Sequence, residues 1–450
     1  MANIKEQIIH FNRWQFDPSF RLEAGEKYRD LFFTLVENYL DKDISLSISG
    51  LRRVGKTTIL FQLINHLLDR GVDRRRVFYF QFSEEAANLE KILSAFFSSF
   101  AADEAVRGEF YIFLDELQYA KKWQTTIKRY VDQNKRIKFI ITGSASIYLW
   151  RQTRESLAGR LLDFRLDPLS FSEMLRLKDG YQEKYSAIQA LKDGAAELEV
   201  FKKIQRERLP FENLFGNYLR FGEFPALLFH LDDFEYSRKY LKDGIIDKIL
   251  LKDIRLFEVE KQEEIASLHK ICCSNIAQTI NLRNVSRETE LSYPTIKKYL
   301  SVLKKTFLIE SAKNRLKSVR SQSKSLDKIF SVSTNLAAAT LSLDDPLNPP
   351  CLDFRGHIIE NFIYNRVKKI GSVYYYRKAG KEIDFVVEAG NQIIPLEVKS
   401  AEVIKKTDAN HLIAFMEKNN LRRGYLIYGG DPKIMEIGNK KIYLLPYRIF

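Results

Sequence analysis

Residues 50–57, GLRRVGKT, have the spacing of a phosphate-binding loop, G-x-x-x-x-G-K-[ST]. The two glycines allow the backbone to approach a ligand closely, so that N–H groups and a helix N-terminus can face phosphate oxygens. Lys56 would place positive charge at the β- and γ-phosphates, and Thr57 would offer a hydroxyl to Mg²⁺. We predict that ATP and Mg²⁺ bind here, and the candidate nucleotide-binding residues are Gly50, Arg53, Val54, Gly55, Lys56, Thr57, Thr58 and Ser144.

A pair of acids follows the hydrophobic run FYIFLDE at residues 110–116. Asp115 is the predicted carboxylate that, with Thr57, lies on the metal side of the nucleotide, and Glu116 is the predicted general base that polarises the attacking water. Because a second acid favours hydrolysis over binding alone, the pair predicts an ATPase. The next run, KFIITGSAS, ends in Thr142 and Ser144, which are either polar sensors of the γ-phosphate or ordinary turn formers.

Residues near the C-terminus have the types and spacing for metal-dependent phosphodiester chemistry. If residues 390–391 form a hairpin loop, Asp384 faces Glu397 across two strands, and a divalent cation would have to bridge the two carboxylates. Lys399 lies on the same face as Glu397, because side chains alternate along a strand. Such a metal polarises a phosphoryl oxygen and activates water, while the lysine stabilises developing charge. The candidate catalytic residues are Glu360, Asp384, Glu397 and Lys399, with Asp384 and Glu397 as metal ligands, and the alternative is an ordinary surface strand.

Positive charge is concentrated in one segment. The chain carries a net charge of +14, and residues 297–328 hold ten basic residues against two acidic ones, a net +8. Within NVSRETELSYPTIKKYLSVLKKTFLIE (284–310), Ser292 can cap a helix with Pro294 in its first turn, and apolar residues recur at helical spacing. FLIESAK and KIFSVS would form the wing, joined by a lysine-rich loop. We predict a winged helix that binds DNA through lysines, and the alternative is a packing domain with a solvated charged face.

Composition excludes several classes of protein. With 450 residues, 45% of them hydrophobic and 29% charged, the chain has the composition of folded globular proteins. It contains no run of about 20 apolar residues, as a membrane span requires, and its first residues lack the apolar core of a secretory signal. The three cysteines have neither zinc spacing nor the even count of a disulfide framework. We expect a cytoplasmic protein with no membrane partner.

Several motifs resemble those of a known family. GLRRVGKTT, FLDELQ, ITGSAS and SLAGRLLDFRLDPLSFSE resemble a prokaryotic family of AAA-like P-loop ATPases, common in archaea, whose C-terminal half is labelled a domain of unknown function. The resemblance covers most of the chain. It implies that Arg160 contacts the γ-phosphate, in its own subunit or from a neighbour, and the alternative is a structural ion pair at a helix end. Family members often have a glycine where Glu223 stands.

The C-terminal candidates also carry a resemblance. Glu360, Asp384, Glu397 and Lys399 are similar to the D…E-x-K arrangement of restriction-endonuclease-like folds, and the C-terminal half of the ATPase family often ends in such a module. The resemblance implies a nuclease-like fold, either active or degenerate.

The order of elements predicts the fold class and its parts. Short β-rich runs alternate with amphipathic runs over residues 44–170, which predicts an α/β fold with a mostly parallel sheet covered by helices. We predict a P-loop ATPase domain at 1–172, a helical lid or linker region at 173–263, a winged-helix domain at 264–340, and an α/β restriction-endonuclease-like domain at 351–450.

Three functions follow from these parts. The leading one is a Mg²⁺-dependent ATPase that binds DNA through a winged helix and carries a nuclease-like module. A second is a nucleotide-controlled signalling switch, in which the nucleotide holds a homo-oligomeric or autoinhibited state and the C-terminal half recruits a protein partner. A third is a DNA-binding regulator with an inactive nuclease-like module.

Overall fold

Five short strands form a parallel sheet in the first part of the chain. The computed structural model describes residues 4–83, 88–99, 108–133, 136–144, 157–194, 197–316, 318–349 and 352–450. The chain divides into two compact units, which we call the N-terminal unit (Met1–Asp167) and the C-terminal unit (Pro168–Phe450).

The N-terminal unit is an α/β layer structure, as predicted. Its strands pair in the order β2-β3-β4-β1-β5, and every pair is parallel. Strands buried on both faces suit a parallel sheet, and β1 is buried at all five positions. The elements are β1 Ser45–Ser49, β2 Val77–Gln81, β3 Phe110–Asp115, β4 Ile137–Gly143 and β5 Leu161–Arg165, with helices α1 Ile4–Phe11, α2 Asp30–Asn38, α3 Lys56–Asp69, α4 Leu89–Ser99 and α5 Trp123–Gln133.

The C-terminal unit begins with helices. The first of them starts at a capping box, in which Ser170 and Glu173 exchange hydrogen bonds, and it ends at Gly180 in the left-handed conformation. The helices are α6 Phe171–Asp179, α7 Ala187–Asp193, α8 Leu198–Arg208, α9 Leu214–Phe221, α10 Phe234–Leu241 and α11 Asp247–Leu251, and a π-helical segment, Lys242–Ile246, joins the last two.

The basic segment folds into helices and antiparallel strands. As predicted, helix α14 is capped by Ser292, has Pro294 in its first turn, and buries its apolar face. The connection between the two predicted wing strands differs from the expected loop, because it contains the short helix α15. The elements are α12 Gln262–Ser274, β6 Gln278–Ile280, α13 Leu282–Thr289, α14 Tyr293–Lys305, β7 Ile309–Asn314, α15 Val319–Lys324 and β8 Asp327–Ser331.

One sheet of nine strands runs through the rest of the unit. Its order is β13-β14-β12-β11-β10-β9-β7-β8-β6, and β7 joins β9 in parallel where Lys313 pairs with Tyr374. The segments predicted as separate domains at 264–340 and 351–450 therefore share a sheet, and the four predicted boundaries stay predictions. The remaining elements are α16 Thr334–Thr340, α17 Leu352–Val367, β9 Ser372–Lys378, β10 Lys381–Ala389, β11 Gln392–Val398, α18 Asn410–Lys418, β12 Arg423–Tyr428, β13 Lys433–Ile437 and β14 Lys440–Pro446.

Strands β10 and β11 have the register predicted from the sequence. Phe385 pairs with Leu396, and the pairing continues to the turn at residues 390–391. On its other side, β10 shifts register against β9 between Ile383 and Val386. Such a bulge re-aims side chains. Ile383 and Val386 both pack in the core with α18, whereas Phe385 reaches the ring of Tyr364 on α17.

Candidate functional site

The phosphate loop lies between β1 and α3, as the motif predicted. A Cβ atom at Gly50 would overlap the carbonyl oxygen of Leu166, so only glycine fits there. Gly55 has φ +100° and caps α3 in a conformation that favours glycine. Arg53 has φ +68°, so the middle of the loop also turns through the left-handed region. The backbone thus has the tight curvature that brings N–H groups towards a bound anion.

Lys56 and Thr57 begin helix α3 and contact different partners. The buried ammonium of Lys56 donates to the carbonyl oxygens of Gly50 (3.1 Å) and Leu51 (2.8 Å). The hydroxyl of Thr57 donates to Asp115 Oδ2 at 2.7 Å. The structure therefore brings together the two residues predicted for the metal side of a nucleotide. One carboxylate and one hydroxyl beside a phosphate loop fit Mg²⁺, which binds through few protein ligands together with substrate phosphates.

Asp115 is fully buried at the end of β3. Besides Thr57, the hydroxyls of Thr142 and Tyr79 donate to it, the latter at 3.2 Å. Burial and the charge of Glu116 raise the pKa of Asp115, and the hydrogen bonds from Thr142 and Thr57 act in the opposite direction. A buried carboxylate surrounded by hydroxyl donors is well suited to hold a hydrated cation in a fixed position.

Glu116 is held by Thr142 of strand β4 and by Gln118 in the turn that follows the two acids. Its backbone has φ +54°, and its N–H donates to Thr142 Oγ1 at 3.1 Å. The side-chain amide of Gln118 donates to the carboxylate of Glu116 and to Ser144 Oγ at 3.0 Å. Gln118 was not among the predicted site residues, although it lies in the FLDELQ motif. Gln118 links the predicted general base to a predicted γ-phosphate sensor.

Two arginines outside the predicted set support the loop. Arg29 is buried, and it donates to the carbonyl oxygens of Val54 (2.8 Å) and Asp167 (2.9 Å). Arg52, inside the loop, donates to the hydroxyl of Tyr119 at 2.7 Å. Arg52 therefore ties the loop to the turn after the two acids, a relationship with no signature in the sequence.

Arg160 lies at the opposite end of the sheet from the phosphate loop. It directly precedes Leu161, which pairs with Ser45 at the start of β1, whereas the loop follows the end of β1. Its guanidinium forms an ion pair with Asp132, with Nε 2.5 Å from Oδ1. Arg160 therefore forms the structural ion pair that was the alternative expectation, and its contact with the γ-phosphate, in its own subunit or from a neighbour, stays a prediction.

The four C-terminal candidates come together on the side of the sheet covered by α17. We call Glu360, Glu382, Asp384 and Glu397 the carboxylate cluster. Lys399 Nζ lies 2.7 Å from Glu397 Oε1, and the backbone N–H of Val398 donates to Asp384 Oδ2 at 2.9 Å. Burial and the charge of Asp384 raise the pKa of both Glu360 and Glu397, each to about 8.

A lysine that was predicted only as part of the basic segment lies among these carboxylates. Lys328, on β8, forms an ion pair with Glu360 and lies 3.4 Å from Asp384 Oδ1. Burial alone would lower the pKa of Lys328, but the charges of Glu360 and Asp384 outweigh it and raise this pKa. The side chain is only 3% exposed, so Lys328 is a core cation and not a surface one.

Other cations of the basic segment are also engaged within the unit. Lys304 contacts Ser311 (2.6 Å) and Asp327 (3.2 Å), and Arg315 pairs with Glu388 at 2.7 Å. Lys297 and Lys298 are exposed on α14, beside the half-exposed Tyr293, although Lys298 also donates to the carbonyl oxygen of Glu258 at 3.1 Å. The net +8 of the segment is therefore not all available to a partner. Lys317 and the side chain of Lys324 lie outside the described residues.

Models of three protein families match separate parts of the chain. Residues 42–175 match the model of an AAA domain family, and residues 212–347 and 355–450 match two models described as a domain of unknown function, DUF8612 and DUF4143. The N-terminal unit therefore carries an AAA-like nucleotide-binding domain, as predicted. None of the helices in the described ranges combines the length and hydrophobicity of a membrane span.

Relatives with similar sequences cover most of the chain. An uncharacterized protein of Haemophilus influenzae is 24% identical over 391 residues, which is 80% of this chain and 86% of the relative. An uncharacterized protein of Methanocaldococcus jannaschii is 26% identical over 383 residues, which is 81% of this chain and 75% of the relative. The solved structure of Saccharomyces cerevisiae RIF2 is 13% identical and covers 55% of this chain and 96% of its own, with a TM-score of 0.29, too low to support an argument.

Proposed function

We propose that this protein is a Mg²⁺-dependent ATPase that binds DNA through a winged helix in its C-terminal unit. The observation that carries the ATPase is the hydrogen bond between Thr57 and Asp115, with Glu116 next in the chain and supported by Gln118. These contacts support a metal-side role for Asp115 and a general-base role for Glu116 at the end of β3.

The residues of the loop have separate tasks in this proposal. Lys56 exchanges the carbonyl oxygens of Gly50 and Leu51 for the β- and γ-phosphates of ATP, and this neutralises phosphate charge. Bound Mg²⁺ supplies further charge neutralisation at the phosphates. Glu116 accepts the proton of the attacking water, while Gln118 limits the positions that its carboxylate can adopt.

The DNA-binding part of the proposal is supported by the order of elements around the basic segment. Helices α12, α13 and α14 precede the antiparallel pair β7–β8, and β6, between α12 and α13, pairs with β8. This order of elements supports a helix-turn-helix with a wing, in which α14 would be the recognition helix. The exposed Lys297 and Lys298 would contact phosphates, which gives affinity without sequence preference.

One experiment tests both halves of the proposal. ATP turnover by the full chain is measured with and without duplex DNA, and the DNA is analysed by length in the same reactions. We expect the wild-type protein to hydrolyse ATP at a rate that changes when DNA is added. We expect Lys56→Ala to abolish this hydrolysis. If ATP turnover survives Lys56→Ala, ATP binds elsewhere in the chain. If DNA neither binds nor changes the turnover, the DNA-binding half of the proposal is wrong.

A second candidate function is favoured by one observation. Because Lys304, Arg315 and Lys328 are all engaged inside the C-terminal unit, the basic segment also suits a packing role. The protein would then be a nucleotide-controlled switch that recruits a protein partner. Absence of DNA binding, or an affinity that changes neither with salt nor when Lys297 and Lys298 are neutralised, would favour this function.

A further inference from the structure

Lys328 lies among carboxylates from two other elements of the C-terminal unit. Its Nζ pairs with Glu360 on α17 and lies 3.4 Å from Asp384 Oδ1 and 3.6 Å from Glu382 Oε1 on β10. The side chain comes from β8, which is separated from β10 in the sheet by β7 and β9. The ammonium therefore crosses one face of the sheet to reach three acids that the chain places 32 or more residues later.

The charges of the cluster are nearly balanced by residues of the chain itself. Lys399 pairs with Glu397 at 2.7 Å, and Arg377 pairs with Glu382 at 3.1 Å. Together with Lys328, three cations thus face the four acids of the carboxylate cluster. Buried carboxylates need such compensation, since an unpaired charge in the interior is costly. The compensation that a divalent ion would supply is already present.

Most of the oxygens that a metal would need already contact cations or backbone of the chain, whereas Glu397 Oε2 is buried without a hydrogen-bond partner. Asp384 directs Oδ1 to Lys328 and accepts the N–H of Val398 with Oδ2, at 2.9 Å. Glu360 directs Oε1 to Lys328 as well. Within the described ranges, no group of three or more His, Cys, Asp or Glu side chains has a geometry that could hold a metal ion. A divalent cation placed between these acids would also meet the repulsion of the neighbouring ammonium. The residues present do not fit the predicted metal site.

We propose that Lys328 is the resident cation of the carboxylate cluster, in the place that a divalent metal would otherwise take. The intact protein then binds no metal at Asp384 and Glu397, and its C-terminal module does not cleave DNA by metal-dependent chemistry. Lys328 also fastens β8, the last strand of the basic segment, to β10 and α17 through charge. The inference stands on the cluster alone and depends on neither ATP hydrolysis nor DNA binding.

The test is a titration of the full chain with Mn²⁺ in the absence of nucleotide and DNA. Metal binding is measured by calorimetry and by the change in unfolding temperature. Wild type is compared with Asp384→Asn, and Lys328→Met with the double variant Lys328→Met/Asp384→Asn. Any weak binding at the phosphate loop is common to all four proteins and cancels in each comparison. Lys313→Met, which removes an exposed lysine from β7, is the matched control for loss of a charge.

We expect wild type, Asp384→Asn and Lys313→Met to give the same Mn²⁺ isotherm. Lys328→Met should gain a site that binds Mn²⁺ about tenfold or more tightly than any in wild type, with a rise in unfolding temperature on adding the metal. The additional Asp384→Asn substitution should remove both effects.

Two results would overturn the proposal. One is a Mn²⁺ site in wild type that Asp384→Asn removes, or Mn²⁺-dependent nicking of DNA that the same substitution abolishes. The other is a folded Lys328→Met protein that gains no metal site. If Lys328→Met does not fold, the comparison of wild type with Asp384→Asn still decides. ATP turnover and salt-dependent DNA binding are measured separately, so a failure here leaves the proposed function in place.

Discussion

The hydroxyl of Thr57, in the first turn of α3, donates a hydrogen bond of 2.7 Å to Asp115 at the end of β3. This bond joins the phosphate loop to the strand that carries both predicted acids. Removing the hydroxyl with Thr57→Val should weaken the Mg²⁺-dependent part of ATP binding by about tenfold or more, because Asp115 loses the partner that completes the metal side.

The measurement for Thr57→Val is the dissociation constant of a fluorescent ATP analogue with and without Mg²⁺. We expect the two constants to approach each other in the variant while the constant without Mg²⁺ stays near that of wild type. Thr34→Val, on the exposed side of α2, is a control that should behave as wild type. An unchanged Mg²⁺ effect in Thr57→Val would contradict the assignment.

Glu116 and Gln118 should have separable effects on turnover. Glu116→Gln removes the proposed base and should lower kcat by about 10²–10⁴-fold, the usual contribution of general base catalysis, without weakening ATP binding. Gln118→Ala should lower kcat less, because it removes only the amide that restrains the carboxylate. Steady-state ATPase assays check both, with the exposed Gln133→Ala as control. If Glu116→Gln turns over normally, the base lies elsewhere.

The exposed lysines of α14 should account for the salt dependence of DNA binding. Lys297→Ala/Lys298→Ala should weaken binding at low salt and reduce the slope of log K against log salt by about 2, since each phosphate contact contributes about 0.9. Fluorescence anisotropy at several salt concentrations measures the slope.

The matched control for this pair loses the same charge elsewhere in the unit. Lys184→Ala/Lys192→Ala removes two exposed lysines from the helical region and should leave the slope unchanged. Equal effects of the two double variants would mean that net charge, and not the face of α14, attracts the DNA.

His269 predicts how the stability of the C-terminal unit depends on pH. Burial on α12 lowers the pKa of His269 to about 4, and its Nε2 lies 3.5 Å from Cys273 Sγ. The unfolded chain therefore binds a proton first as the pH falls. The contribution of the neutral imidazole is complete above about pH 6.5 and is lost progressively towards pH 4, by about 3 kcal/mol in total.

Chemical denaturation at several pH values measures how the free energy of unfolding changes with pH. His269→Leu should flatten the dependence of the free energy of unfolding between pH 6.5 and 4, whereas His411→Leu, at an exposed position of α18, should not. A slope that is the same in wild type and His269→Leu would mean that other groups dominate this range.

Glu223 stands where the resemblance leads one to expect glycine, and its carboxylate is fully buried. It accepts hydrogen bonds from the hydroxyl of Ser333 and, at 3.0 Å, from the backbone N–H of Asn335. Glu223→Ala would leave these donors without an acceptor and should cost about 2–4 kcal/mol of stability. Glu223→Gln keeps an acceptor oxygen and should cost less. Urea unfolding of the two variants separates them, and equal costs would assign the loss to packing alone.

The sequence predicted those features that depend on local order. The spacing of Gly50, Gly55 and Lys56 constrains a single turn, so the phosphate loop could be identified without any distant contact. The alternation of strands and helices predicted the parallel sheet, since buried parallel strands and their crossover helices have distinct periodicities. The register of β10 and β11 could also be predicted, because a two-residue turn fixes which residues face each other.

The tertiary structure decided which charges are exposed and which are buried. Arg160 pairs with Asp132 at the far end of the sheet, although its motif alone implied a contact with phosphate. Gln118 contacts Ser144 only because β3 and β4 are neighbours. Such contacts between separate elements leave no periodic pattern in the sequence, so the sequence could not predict them.

Lys328 is the clearest case of this difference. In the sequence it is the last of ten basic residues in a segment with the charge of a DNA-binding surface. In the structure it is buried against Glu360 and Asp384. The parallel pairing of β7 with β9 joins two parts of the chain in one sheet, and this brings Lys328 of β8 close to the acids. The sequence determined the nucleotide-binding loop through local backbone constraints, and only the long-range pairing of strands decided what surrounds the C-terminal acids.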